Sequence, residues 1–80
     1  MNLYRISQKV NIDYDTYDSA VVCAESEEAA RSMHPSGREW DGAWERWGDW
    51  CAKDDVQVEL VGKAEDTIER GVVCASFNAG

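Results

Sequence analysis

Residues 3–25 read LYRISQKVNIDYDTYDSAVVCAE, and the way this stretch divides decides the fold. In residues 3–12, Tyr4, Ile6, Val10 and Ile12 share one parity and Arg5, Ser7, Lys9 and Asn11 the other. Alternation with a period of two marks a strand with one face buried. The segment DYDTYDS at 13–19 is rich in Asp and Ser, whose side chains bond nearby backbone and favour turns, so it predicts a loop. AVVCAE at 20–25 is apolar without alternation, which predicts a strand covered on both faces. Together the three pieces predict an antiparallel hairpin with its acidic loop at the tip.

Downstream, Ser26 can cap a short helix over EEAARSM. Glu27 and Glu28 fall in its first turn, where the helix dipole favours them, and Arg31 lies toward the other end. Pro35 and Gly37 stop the helix. In VQVELVG at 56–62, Val56, Val58 and Leu60 alternate with Gln57 and Glu59, the pattern of an amphipathic strand. KAEDTIER reads as a connection or one helical turn, and GVVCASF as a last strand, placed centrally because it is apolar. The fold class expected is α+β: a small antiparallel β-sheet of about four to five strands with one short helix packed on a face. Residues 1–80 form a single domain.

All four tryptophans lie in REWDGAWERWGDW, at positions 40, 44, 47 and 50. As a helix, Trp40, Trp44, Trp47 and Trp50 would fall within an arc of about 120°. Ser36-Gly37-Arg38-Glu39 has the form of a capping box. Gly42 and Gly48 weaken that helix. As a strand, Trp40, Trp44 and Trp50 would share a face. The preference is for an irregular or strand-containing segment. Each Trp buries roughly 150–250 Å², and a chain poor in Leu and Ile needs that volume, so at least two belong to the core. Trp44 and Trp47 are the candidates for a partner surface.

The chain has sixteen acidic residues against eight basic ones, a net charge of −8. That balance opposes nucleic acid phosphates and anionic membranes and favours a basic partner. The four Trp could in principle stack on nucleotides, but the residues interleaved with them are mostly acidic where such sites need a positive groove. The longest one-sided run lies between Asp13 and Glu28, which holds Asp13, Asp15, Asp18, Glu25, Glu27 and Glu28 and no Lys or Arg. Tyr14 and Tyr17 stand among its loop aspartates. These eight residues, with Trp44 and Trp47, are the candidate partner-binding set. A solvating role for the same charges is the plain alternative.

No catalytic or cofactor signature appears. Cys23, Cys51 and Cys74 are an odd number at wide spacing, which is a poor disulfide framework and reads as buried thiols. With His34 they lack the paired-cysteine spacing of a zinc site, and a Cys–His nucleophile pair would lack an orienting group. The expectation is a non-enzyme without metal or cofactor. The start MNLYRISQ has no charged and apolar leader pattern, so the chain is expected to be soluble and intracellular. An exposed edge strand or Trp patch could support a homodimer.

The blocks YDTYDSAVVCAESEEAAR, His34-Pro35, VQVELVG and GVVCASFNAG resemble a group of small proteins encoded by bacteriophages and prophages. Within that setting a short acidic domain resembles anti-CRISPR proteins, in particular inhibitors of a type I effector. The resemblance implies inhibition by binding: occupation of the lysine- and arginine-rich surface with which the effector complex holds target DNA. It carries no motif that assigns residues, so the candidate set rests on charge alone. The alternatives are a small-molecule or nucleotide sponge using the Trp cluster, and a phage structural or adaptor protein.

Overall fold

The fold is a four-stranded antiparallel sheet with a short helix on one face, in a computed structural model that describes residues 1–11, 15–37 and 49–78. The hairpin stands at its centre. β1 (Asn2–Ser7) pairs with β2 (Thr16–Ala24) in a register running from Asn2 opposite Ala24 to Ser7 opposite Ser19. Tyr4 therefore meets Val22 and Ile6 meets Ala20, four side chains on one face that are all buried. β3 (Gln57–Lys63) adds to the other side of β1 and β4 (Gly71–Asn78) to the other side of β2, giving the order β3-β1-β2-β4.

Three sequence expectations are corrected. The first strand ends at Ser7, so Val10 does not continue its buried row and is exposed. Gln8 is the cause. Its Nε2 donates to the carbonyls of Asn11 (2.6 Å) and Tyr17 (2.9 Å). Its Oε1 accepts from the amides of Val10 (2.9 Å) and Asn11 (2.7 Å). A buried amide that satisfies two donors and two acceptors offers the chain a turn worth more than another strand pair. Next, β2 begins at Thr16, inside the segment read as a loop, with Asp15 at a φ of 61° entering it. A bulge between Tyr17 and Ser19 turns Asp18 outward while Thr16 and Ala20 stay buried. Finally, β4 is an edge strand and not a central one; residues 73–77 are exposed although their sequence is apolar.

The helix α1 (Glu27–Arg31) follows the expected cap, with Ser26 Oγ accepting from the Ala29 amide at 3.1 Å. Five residues are far too few for a helix to persist alone, so its stability comes from burying Ala30 and Met33 against the sheet. The rest of that layer is supplied by the chain at Asp49–Val56, where Trp50, Cys51 and Val56 are buried in the same core. The Arg31 guanidinium donates to the Val56 carbonyl and so joins helix and returning segment. On the opposite face, the connection from β3 to β4 passes over Cys23, whose thiol lies 3.8 Å from the Ile68 carbonyl. This explains why Val22 and Cys23, on opposite faces, are both inaccessible, as the apolar run AVVCAE implied.

Replacing Gln8 with Ala would remove four part-buried hydrogen bonds to backbone groups, and should cost about 2–3 kcal/mol. Chemical denaturation of Gln8→Ala against the parent protein measures this, with Gln8→Glu expected to fall in the same direction because it loses both donors.

Candidate functional site

The predicted acidic run does not fold into one surface. Asp15 and Asp18 lie at the start of β2, and Glu25, Glu27 and Glu28 follow its end. A strand of nine residues separates the two groups by roughly 25 Å. Tyr17 is half-buried and turned toward the core: its ring packs edge-on to His34 (centroids 5.6 Å apart) and against Phe77 (4.7 Å). Asp13, Tyr14, Trp44 and Trp47 lie outside the described residues, as does the question of helix or strand for most of the Trp segment. Trp50, at 1% exposure, is core and offers no stacking surface.

What the fold does assemble is a corner that the sequence run only half contains. Lys53 Nζ sits 2.7 Å from Glu28 Oε1 and draws a 3-10 turn, Lys53–Asp55, against the first turn of α1. Asp54 and Asp55 thereby come beside the helix turn that carries Glu27 and Glu28, and all four residues are exposed, while Glu25 is drawn to Arg70. A backbone hydrogen bond and then the Arg70 guanidinium, 3.0 Å away, lower the pKa of Glu25. The Lys53 hydrogen bond lowers that of Glu28. Both carboxylates therefore stay ionised below the ordinary carboxylate range. The small stability they add is present above pH 4.5 and is lost as pH falls through the folded-state value.

A second arrangement, centred on His34, was not legible as a site. His34-Pro35-Ser36-Gly37 forms a turn closed by the Gly37 amide on the His34 carbonyl at 2.8 Å. Proline suits the second position of such a turn, and Gly37 takes a φ of 92° that other residues rarely adopt. The imidazole is completely buried. Its Nδ1 accepts from the Ser36 amide at 3.0 Å, and the Ser36 hydroxyl lies 2.7 Å from the same nitrogen. A backbone amide can only donate, so the proton of this tautomer is on Nε2, which donates to Asp49 Oδ1 at 3.0 Å. Asp49 in turn accepts a bond from the Tyr17 amide at its carbonyl, 2.8 Å away.

Serine, histidine and aspartate here stand in the order of a hydrolytic triad, yet the amides beside Ser36 are already engaged. Ser36 N–H serves His34 Nδ1, and Gly37 N–H serves the His34 carbonyl. An oxyanion needs donors free to receive it. The geometry therefore reads as a lock that fastens the HPSG turn to Asp49 and β2. The signal available in sequence was the dipeptide His34-Pro35 before Ser36-Gly37; its partner Asp49, fifteen residues on, had no marker.

The cysteines divide two to one. Cys23 and Cys51 are buried, as expected, whereas Cys74 is exposed because β4 is an edge. Burial, helped by the Asp55 carboxylate, pushes the Cys51 thiol up to about 12. Among the described residues there is no group of three His, Cys, Asp or Glu able to hold a metal ion. Nor is any helix among them long and apolar enough to cross a membrane. No family model, curated protein or solved structure matches this chain.

A thiol reagent at neutral pH should label Cys74 alone, and Cys23 and Cys51 only after denaturation. The raised Cys51 value also fixes the alkaline behaviour. Its folded-state pKa exceeds the ordinary 9.0, so the associated stability is full below pH 9.0 and is lost as pH rises toward 12. Labelling stoichiometry by mass spectrometry and melts between those pH values measure both effects.

Proposed function

We propose that this protein acts by binding a basic protein surface through the corner formed by α1 and the 3-10 turn, with Glu27, Asp54 and Asp55 as the principal contacts. The observation that carries this reading is the Glu28–Lys53 ion pair, which consumes the local lysine while bringing carboxylates from two distant parts of the chain together. Glu27, Asp54 and Asp55 make no ion pair among the described residues, so their charge is available to a partner. In an acidic chain, long-range attraction to a basic surface speeds encounter and makes it sensitive to salt.

The resemblance of its strand blocks to phage-encoded proteins makes a type I CRISPR effector complex the proposed partner. The protein would work as an anti-CRISPR-like inhibitor without chemistry of its own, covering the basic residues that hold target DNA in the host cytoplasm. Asp15 and Asp18, at the far end of β2, are not contacts in this scheme, because a single docked corner does not reach them.

The triple reversal Glu27→Lys, Asp54→Lys and Asp55→Lys leaves the Glu28–Lys53 and Glu25–Arg70 ion pairs in place. It should weaken association with the effector by at least about 100-fold, since each like-charge contact costs on the order of 1 kcal/mol or more. Plaque formation by a sensitive phage on a host with an active type I system, with the parent or variant protein expressed, provides the readout. The parent should rescue the phage and the triple variant should not, while Asp15→Lys with Asp18→Lys retains rescue. Failure of the parent to rescue under any CRISPR type removes the partner, and full rescue by the triple variant removes the acidic corner.

A further inference from the structure

The face of the sheet turned away from α1 holds a solvent-open hollow of about 160 Å³, lined by Arg5 of β1, Ser19 and Val21 of β2, and Cys74 and Ser76 of β4. The strand registers explain this grouping. Arg5, Val21 and Cys74 stand in one row across three strands, and Ser19 faces Ser76 in the next. Arg5, Ser19 and Val21 alternate with the buried Tyr4, Ile6, Ala20 and Val22, so the group lies on the face opposite the core. The ladder between β2 and β4 shifts register between Tyr17 and Ser19 and again between Val21 and Val22. The floor of the hollow is the regular stretch between those shifts, where Ser19, Ala20 and Val21 face Ser76, Ala75 and Cys74. Irregularities of this kind bend a strand and sharpen its twist, which hollows the stretch between them.

The polar groups around the hollow are unspent. Of the three arginines among the described residues, Arg31 donates to the Val56 carbonyl and Arg70 to Glu25. Arg5 makes no hydrogen bond or ion pair among the described residues. Its register partner on β3 is Glu59, yet Arg5 lines the hollow on its other side, toward β2 and β4. The hydroxyls of Ser19 and Ser76 likewise have no partner among the described residues.

We propose that this hollow binds a small monocarboxylate, with the carboxylate on the Arg5 guanidinium, a short apolar body against Val21, and the Ser19 and Ser76 hydroxyls as further donors. A guanidinium presents paired N–H groups that match the two oxygens of a carboxylate. Charge selects a monoanion. One arginine supplies one positive charge, while Glu59 beside it and a net charge of −8 repel a second negative one. Volume sets the size, since a cavity of about 150 Å³ takes a molecule as large as benzene. Butyrate is of similar size and charged at one end. Because Arg5 is exposed, its dissociation constant should be on the order of 1 mM or weaker.

Cys74, an exposed thiol on the wall of the hollow, is a built-in reporter. At constant ionic strength, butyrate at ten times its dissociation constant should slow alkylation of Cys74 by iodoacetamide about tenfold. The NMR signals of the Arg5 side chain and of Val21 should shift and saturate over the same titration. Arg5→Gln, a change at an exposed position, should keep the parent melting temperature and lose both responses. Inorganic phosphate at equal concentration should protect Cys74 less than butyrate does. Stronger protection by phosphate would overturn the choice of ligand. A Cys74 rate indifferent to butyrate, or protection that persists in Arg5→Gln, would overturn the site.

Discussion

The rest of the structure depends on the burial of Trp50 and His34 beneath the central hairpin. A four-stranded sheet needs a second layer over its apolar face, and the only α-helix among the described residues spans five residues. Ala30 and Met33 cannot cover Tyr4, Ile6, Ala20 and Val22 alone. Trp50 and His34, among the largest fully inaccessible side chains, complete the cover, with their rings 6.2 Å apart and edge-on. Both come from irregular backbone, so polar joints must position them. Those joints are the His34–Asp49 bond, the Tyr17 amide on the Asp49 carbonyl, and the Asn11 side chain on the Trp50 carbonyl at 3.2 Å.

This way of building a core shapes the surface. Because loops and one helical turn supply the second layer, the segment Lys53–Asp55 is held against α1 by its junction with the core at Cys51 and Val56. The acidic corner is thus a by-product of core closure, with the Glu28–Lys53 pair fixing its geometry. Exposed ion pairs contribute little to stability, and this one acts chiefly on position. Among the described residues no strand lies along the outer sides of β3 and β4, and β4 carries no charged residue.

The hairpin, the Ser26 cap and the presence of a third strand were legible in the sequence because each follows from local periodicity or a local hydrogen bond, but the expected apolar face of that strand is not buried throughout, since Leu60 is 59% exposed. The end of β1 was not, because Gln8 acts through carbonyls and amides that alternation does not register. The position of β4 was misread for a related reason: apolar composition signals burial on average, whereas strand order is set by which edge of the hairpin remains open. At the site, the one-sided charge of residues 13–28 was plain, but a strand in the middle of the run carries its two ends apart. The contribution of Asp54 and Asp55 needed a tertiary ion pair, and the His34 lock needed Asp49, neither of which has a sequence signature. REWDGAWERWGDW was read as a source of core volume from at least two tryptophans; Trp50 supplies one, and Trp40, Trp44 and Trp47 lie outside the described residues.

The central claim is that Trp50 closes the core by volume and packing, since its buried indole Nε1 has no hydrogen-bond partner among the described residues. A domain of this size is held by about 4–12 kcal/mol in all, and removing a buried Trp side chain to Ala costs about 3–5 kcal/mol. Denaturant unfolding of Trp50→Phe and Trp50→Ala beside the parent protein is the direct measurement. The account predicts that Trp50→Ala loses most of the stability while Trp50→Phe, which gives up no hydrogen bond, loses far less. Equal losses in the two variants, or a Trp50→Ala protein as stable as the parent, would contradict it.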